Sequence, residues 1–220
     1  IAGSGNQIWL ANPYVLLIEE QITQYQDLVP IYKAFKKTMV NAPGGKEELP
    51  HALIIIAGEV SEDALQFVIG NLFPRKATDT PAPVFLLKSP EQGIARYESM
   101  KDVQIAVGSK NVFSKHQGRP LRLFEGEADF GSCLRAEISM DNCRMILKDD
   151  TANAVDKRIA QIKKEVKNEG EANKRIGKLS KGIGLITIGG YTDTEYNYLN
   201  QVIEDAVLAA ISALKHGVVP

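Results

Sequence analysis

Few residues in this sequence have types and spacings that could do chemistry. Cys133 and Cys143 are the only thiols, and His51, His116 and His216 lie far apart. No spacing suits a metal ligand set, and a reduced compartment is the default for two unpaired thiols. No nucleophile motif, zinc motif or phosphate loop occurs. "GIGLITIGG" (182–190) has the glycine content of a dinucleotide loop but the wrong spacing, and reads as a strand with a flexible exit. Glu204 and Asp205 are adjacent, so on a helix they diverge by about 100° and read as solvated charges rather than a paired acid and base. From Lys157 to Lys181 lysines interleave with Glu165, Glu169 and Glu171, the pattern of a solvated helix face.

Composition excludes more than it selects. The 220 residues are 44% hydrophobic and 24% charged, with a net charge of −1. That is globular, and it offers no electrostatic case for nucleic acid or an anionic membrane. The apolar runs are too short to span a bilayer. The sequence has neither a starting Met nor a signal peptide, and it reads as part of a longer chain.

The elements emerge from periodicity. "WLANPYVLLIEE" reads as a strand with Tyr14 to Ile18 in a core, Leu53–Ile56 as a second, and "VFLLK" as a third. Helices are expected over Leu28–Thr38, over Glu62–Phe73 behind the cap Ser61, and after "SPEQG". Strands alternating with helices predict α/β layering, a buried sheet flanked by helices. "PLRLFEG", "LRAEISM" and "NCRMILKDD" read as antiparallel strands. The chain then turns helical: Val155, Ile159, Ile162 and Val166 share one spacing, and a short helix carries Ile176 and Leu179. A last helix opens on the capping box Thr192-x-x-Glu195, carries an apolar stripe from Ile203 to Leu214, and stops at Gly217.

Two helices have more apolar surface than one core needs. In Glu62–Phe73, Ala64, Phe67 and Val68 form one side, and Leu65, Ile69 and Leu72 an adjacent one. The apolar arc is about 200°, twice the usual stripe. In Leu28–Thr38, Leu28, Ile31 and Phe35 form one side, with Val29 and Tyr32 on another. Either both helices are buried in a three-layer domain, or they leave an exposed apolar groove.

The order of segments resembles the apical domain of group I chaperonins, the GroEL family. "ITQYQDLVPIYKAF" fits the first apical binding helix, and "ALIIIAGEVSEDALQFVIGN" fits a strand and the second binding helix. "LKSPEQGIARYESMKD" keeps the Lys-x-Pro, Gly and Arg pattern at Lys88, Pro90, Gly93 and Arg96. "DFG" at Asp129–Gly131 stands where Asp-Leu-Gly is usual, and "RIAQIKKEV" and "VIEDAVLAAISALKHGVV" come after it in order.

The resemblance implies an apical, polypeptide-binding domain over 1–188, then a hinge and an intermediate-domain helix over 189–220. The equatorial ATPase domain is absent from this stretch. It implies a groove for non-native polypeptides and a GroES-like co-chaperonin lid at Val29, Tyr32, Leu65, Ile69 and Gly70, with Gly189 at the hinge. It also implies that Asp205 orients the attacking water in a full-length, ring-forming chaperonin carrying ATP and Mg, while this segment alone holds no cofactor or metal and is no enzyme. A cytoplasmic site, or the matrix of a mitochondrion or plastid, goes with that family. The alternative is a ring-less scaffold using the groove for one dedicated partner. The sequence departs from the family's pattern in an insertion around "VNAPGGKEELP", a deletion between Val166 and Ile176, "EQG" in place of the usual turn, and Lys36 near the groove edge.

Overall fold

Strand β2 (Tyr14–Ile22) shows how the core is divided. Its side chains alternate, so Leu16 and Ile18 enter one apolar cluster while Val15 and Leu17 enter another on the opposite face. The neighbouring strand β3 (Leu53–Val60) does the same with Leu53 and Ile55 against Ile54 and Ile56. A strand buried on both faces must be apolar throughout, which is why these runs lack the polar alternation of a surface strand.

The structure is a computed structural model that describes residues 7–41, 52–72, 83–140, 142–180, 186 and 188–217. Two compact units divide at Ser180/Lys181. In the first, β2 and β3 run parallel with β4 (Val84–Lys88) and β5 (Val112–Phe113) in the order β4-β3-β2-β5, and β6 (Gly131–Ser132) pairs antiparallel with β2. Helices α1 (Leu28–Asn41) and α2 (Glu62–Leu72) cover one face through Leu28, Ile31, Phe35, Ala64 and Val68. Helix α3 (Gly93–Val107) covers the other through Met100 and Val107.

A second, antiparallel sheet joins that side: β1 (Ile8–Ala11), β7 (Arg135–Ile138) and β8 (Cys143–Ile146), in the order β1-β7-β8. "WLANPYVLLIEE" is therefore two strands in two sheets. Asn12, at φ 46°, and Pro13 turn the chain between them. Of the three antiparallel strands expected after Gly108, "LRAEISM" and "NCRMILKDD" pair as β7 and β8. "PLRLFEG" instead holds a 3-10 turn at Leu121–Leu123, whose Leu121 N–H donates to Glu20 Oε1 at 2.6 Å rather than to a strand partner. Gly131 is required by a close approach: a Cβ there would lie 2.6 Å from Val107 Cγ2 and 2.9 Å from its carbonyl oxygen.

Helices α4 (Ala152–Glu165) and α5 (Glu169–Leu179) form an outer layer on α3, with Val155, Ile162, Ala172 and Leu179 around Ala106. The Lys-rich stretch is not wholly a solvated face. Arg158 is buried and donates from Nε to Asp102 Oδ1 at 2.8 Å; Arg175 clasps the same carboxylate from Nε and Nη2, each at 2.8 Å. Glu98 Oε2 accepts from both guanidinium groups, at 2.9 and 3.2 Å.

The second unit holds α6 (Asp193–His216). Thr192 Oγ1 accepts from Glu195 N at 3.2 Å, while the Glu195 carboxylate reaches back to Tyr191 N at 2.9 Å, one residue before the cap. Most of the strand expected over 182–190 lies outside the described residues; Ile186 and 188–190 are not in a strand.

Candidate functional site: the exposed flanks of two helices

The leftover apolar faces of α1 and α2 can now be placed. Ala64 and Val68 point α2 at the sheet. Phe67 stands on the flank facing α1. Its ring stacks on Tyr25 at 5.7 Å between centroids and meets Tyr32 edge-on at 5.9 Å. Leu65 is two positions from Phe67, about 160° around the helix, so it lies on the opposite flank with Ile69. Leu65 is 43% and Ile69 44% exposed, high values for aliphatic side chains on a helix whose Ala64 and Val68 are buried. Leu72 lies at the end of α2, and its side chain is outside the described residues.

On α1, Val29, Tyr32 and Lys36 recur at i, i+3 and i+7 and share the flank that meets Phe67. Val29 is half-buried. Tyr32 departs from expectation: it is only 7% exposed, because Phe67 and the core of α1 enclose its ring, and that burial pushes its phenol pKa up. Lys36 Nζ sits 5.3 Å from the centre of the Tyr32 ring, a cation over an aromatic face. Gly70, three residues beyond Phe67, lies on the seam flank and is exposed.

The five expected groove positions thus divide. Val29, Tyr32 and Gly70 belong to the α1/α2 seam, and Leu65 and Ile69 to the outer flank of α2. Tyr25, 44% exposed, and Phe67 complete the seam. Spacing groups Phe67 with Ala64 and Val68 on one side of α2 and does not single out Tyr25. The available signal was Phe67's offset of about 80° from the Ala64/Val68 direction.

Asp205 and Glu204 are both exposed on α6. Gly189 is exposed, and a Cβ there would meet nothing within 4 Å, whereas one at Gly190 would fall 2.8 Å from Tyr196 N. Close packing therefore demands glycine at 190 rather than at 189. Among the described residues no group of three or more His, Cys, Asp or Glu is placed to hold a metal ion, and no helix is long and apolar enough to cross a membrane.

These features define a class: a layered α/β domain carrying two helices whose apolar flanks are left partly in water. The comparisons with known proteins place it further. No family model matches the chain. It is 28% identical over 217 residues to "Chaperonin GroEL" of Wolbachia pipientis wMel, covering 96% of this chain and 36% of that protein. It is 30% identical over 214 residues to "Chaperonin GroEL 1" of Prochlorococcus marinus (strain MIT 9313), covering 94% and 35%. Its fold matches the crystal structure of the chaperonin gp146 from the bacteriophage EL 2 (Pseudomonas aeruginosa), with a TM-score of 0.59 and 16% identity over 98% of this chain and 40% of that one. The chain is a divergent GroEL-like segment, and it spans a little over a third of the length of the curated relatives it matches.

Proposed function

We propose that this chain is the polypeptide-binding part of an ATP-driven chaperonin, with the α1/α2 seam and the outer flank of α2 as its capture surface. The observation that carries the reading is the exposure of Leu65 and Ile69 on a helix whose Ala64 and Val68 are packed into the core, with Tyr25 exposed in the turn that leads into α1. An unfolded chain presents scattered apolar side chains, and a shallow apolar surface binds many of them, because burial is non-directional. Covering a few hundred Å² at ~25 cal/mol/Å² gives several kcal/mol before ordering costs. Such a site is weak alone and useful when several copies in a ring engage one client.

In this reading the parent protein is a homo-oligomeric ring that binds ATP and Mg outside this segment and closes with a GroES-like lid over the same surface. Asp205 is delivered by α6 to the nucleotide to orient the attacking water, and the chain bends near Gly189. Either the cytoplasm or an organelle matrix accommodates it. The test is aggregation of a chemically denatured client, monitored by light scattering. The 220-residue chain should suppress it. The double variant Leu65→Ser/Ile69→Ser should not, while melting within a few degrees of the parent. Undiminished suppression by that variant would refute the reading.

A second reading, a ring-less scaffold for one dedicated partner, draws on Phe67. An aromatic already stacked against Tyr25 and Tyr32 narrows what the seam can accept.

A further inference from the structure

The parallel sheet has a topological switch point that the capture surface does not use. From β2 the chain steps through α1 to β3 and through α2 to β4 on one side; α3 then returns it to β5 on the other side of β2. Beyond the carboxyl ends of β2 and β5 such sheets leave a crevice, the usual seat of ligands in open α/β folds. Here the crevice is a cleft of about 400 Å³ lined by Glu20, Gln21, Asp27, Lys115, Leu121 and Arg122, among others. That volume suits a small ligand or one large side chain.

Glu20 is built into the wall of the cleft. The pairing of β2 with β3 slips by one residue between Ile18 and Gln21, so the extra residue falls at Glu19–Glu20; such bulges re-aim side chains beside sites. The Glu20 side chain is 9% exposed. Its Oε1 accepts from Leu121 N, whereas its buried Oε2 has no hydrogen-bond donor in line. The Lys115 ammonium lies 3.1 Å from Oε2, but that side chain is 71% exposed and can swing away at little cost. A buried carboxylate oxygen needs a donor, and in this cleft a loosely held lysine stands where a ligand's donor would be.

We propose that this cleft binds a cationic side-chain head group, guanidinium or ammonium, presented by a polypeptide. Glu20 Oε2 is the buried acceptor, Asp27 a second carboxylate at the rim, and Pro120 and Leu121 the apolar wall for the aliphatic stem. Lys115 is an internal placeholder that the ligand displaces. Asp27 borders the turn that carries Tyr25, but Glu20 and Lys115 lie outside the α1/α2 surface, so the Glu20 and Lys115 variants test this site apart from the proposed function.

The test is a titration read by backbone NMR shifts, with the pentapeptide acetyl-Gly-Gly-Arg-Gly-Gly-amide as probe. The proposal expects saturable shifts at residues 20–21, 27 and 115–122, and at least tenfold weaker binding of the citrulline peptide, which is isosteric and uncharged. Free arginine amide, run alongside, tells a solute ligand from a peptide side chain: the proposal expects it to bind no more tightly than the pentapeptide, and tighter binding would overturn the peptide assignment. Dilution of the protein alone reports a second copy's basic side chain as the source if the same signals move. Glu20→Gln keeps an acceptor for Leu121 N and should lose binding at least tenfold. Lys115→Met removes the placeholder without touching the buried wall and should tighten binding several-fold, which keeps the proposal testable if Glu20→Gln fails to fold. Equal affinity for the arginine and citrulline peptides, weaker binding by Lys115→Met, or no saturable shifts would overturn it.

Discussion

Replacing Asp102 by Asn isolates what holds the outer helices to the domain. The Asp102 carboxylate accepts three hydrogen bonds of 2.8 Å from two guanidinium groups contributed by α4 and α5. The hydrogen bonding of Arg175 to Asp102 is also the foremost reason its pKa is raised. Asn keeps one acceptor, removes the charge and turns an NH₂ toward a buried cation, Arg158, and a largely buried one, Arg175. Breaking a buried pair from one side costs about 3–5 kcal/mol, since the stranded charge is not rehydrated. Glu98, still in place and partly exposed, offsets some of this and sets the expectation near 3 kcal/mol. For a domain of this size that is a fall in melting temperature of roughly 6–12 °C. Urea denaturation should show a lower midpoint at unchanged slope, because the native surface is the same. A loss below about 1 kcal/mol would mean that the cluster behaves like exposed ion pairs, and the account of the α3/α4/α5 layer would be wrong.

Further expectations follow from burial at Val68 and the two thiols, and from the proposed function at Asp205. Val68→Ala removes methyl groups from the packed side of α2 and should destabilise by roughly 1–3 kcal/mol in the same denaturation assay. Burial pushes the Cys133 thiol up to about 12 and the Cys143 thiol up to about 11, so native-state labelling by a disulfide reagent at pH 8 should be slower than for a free thiol by roughly a few thousandfold at Cys133 and a few hundredfold at Cys143. Both pKa values are raised on folding, so their contribution to stability is complete below the ordinary thiol pKa near 8.5 and is lost as pH rises toward about 11–12; denaturation midpoints should fall across that window and recover in Cys→Ala variants. On the proposed function, Asp205→Ala in the full-length protein should depress single-turnover ATP hydrolysis strongly with ATP binding nearly unchanged, because a carboxylate that orients the attacking water acts mainly on the transition state. The 220-residue chain should bind no ATP by calorimetry.

Much of the fold was legible because local signals agreed with one another. Leu53–Ile56 is too apolar to be a surface strand, Ser61 caps the next helix, and β3 and α2 form where those residues predict. Spacing grouped Leu28, Ile31 and Phe35 on one side of α1 and set Val68 apart from Leu65 and Ile69 on α2; the resemblance implied which sides face the core, and these four residues, Leu28, Ile31, Phe35 and Val68, are buried. What failed depended on partners distant in sequence. Arg158 and Arg175 looked like members of a solvated run because their carboxylates lie 56 to 77 residues away. "PLRLFEG" alternates like a strand, but its Leu121 N–H is taken by Glu20, 101 residues earlier. The angle of Tyr32 on α1 left burial and exposure both open and the resemblance implied a groove position; Phe67, arriving from another helix, covers it. The split of the groove positions has the same origin. A helical arc of about 200° does not say which edge will face a neighbour.

The most direct measurement is a footprint of a bound client. Amide hydrogen exchange of the 220-residue chain should be compared with and without a reduced, permanently unfolded polypeptide. The account predicts added protection over Tyr25–Val29 and Leu65–Gly70, with the sheet and α3 unchanged. Protection confined to other surfaces, or a client that binds with no change along α1 and α2, would contradict it.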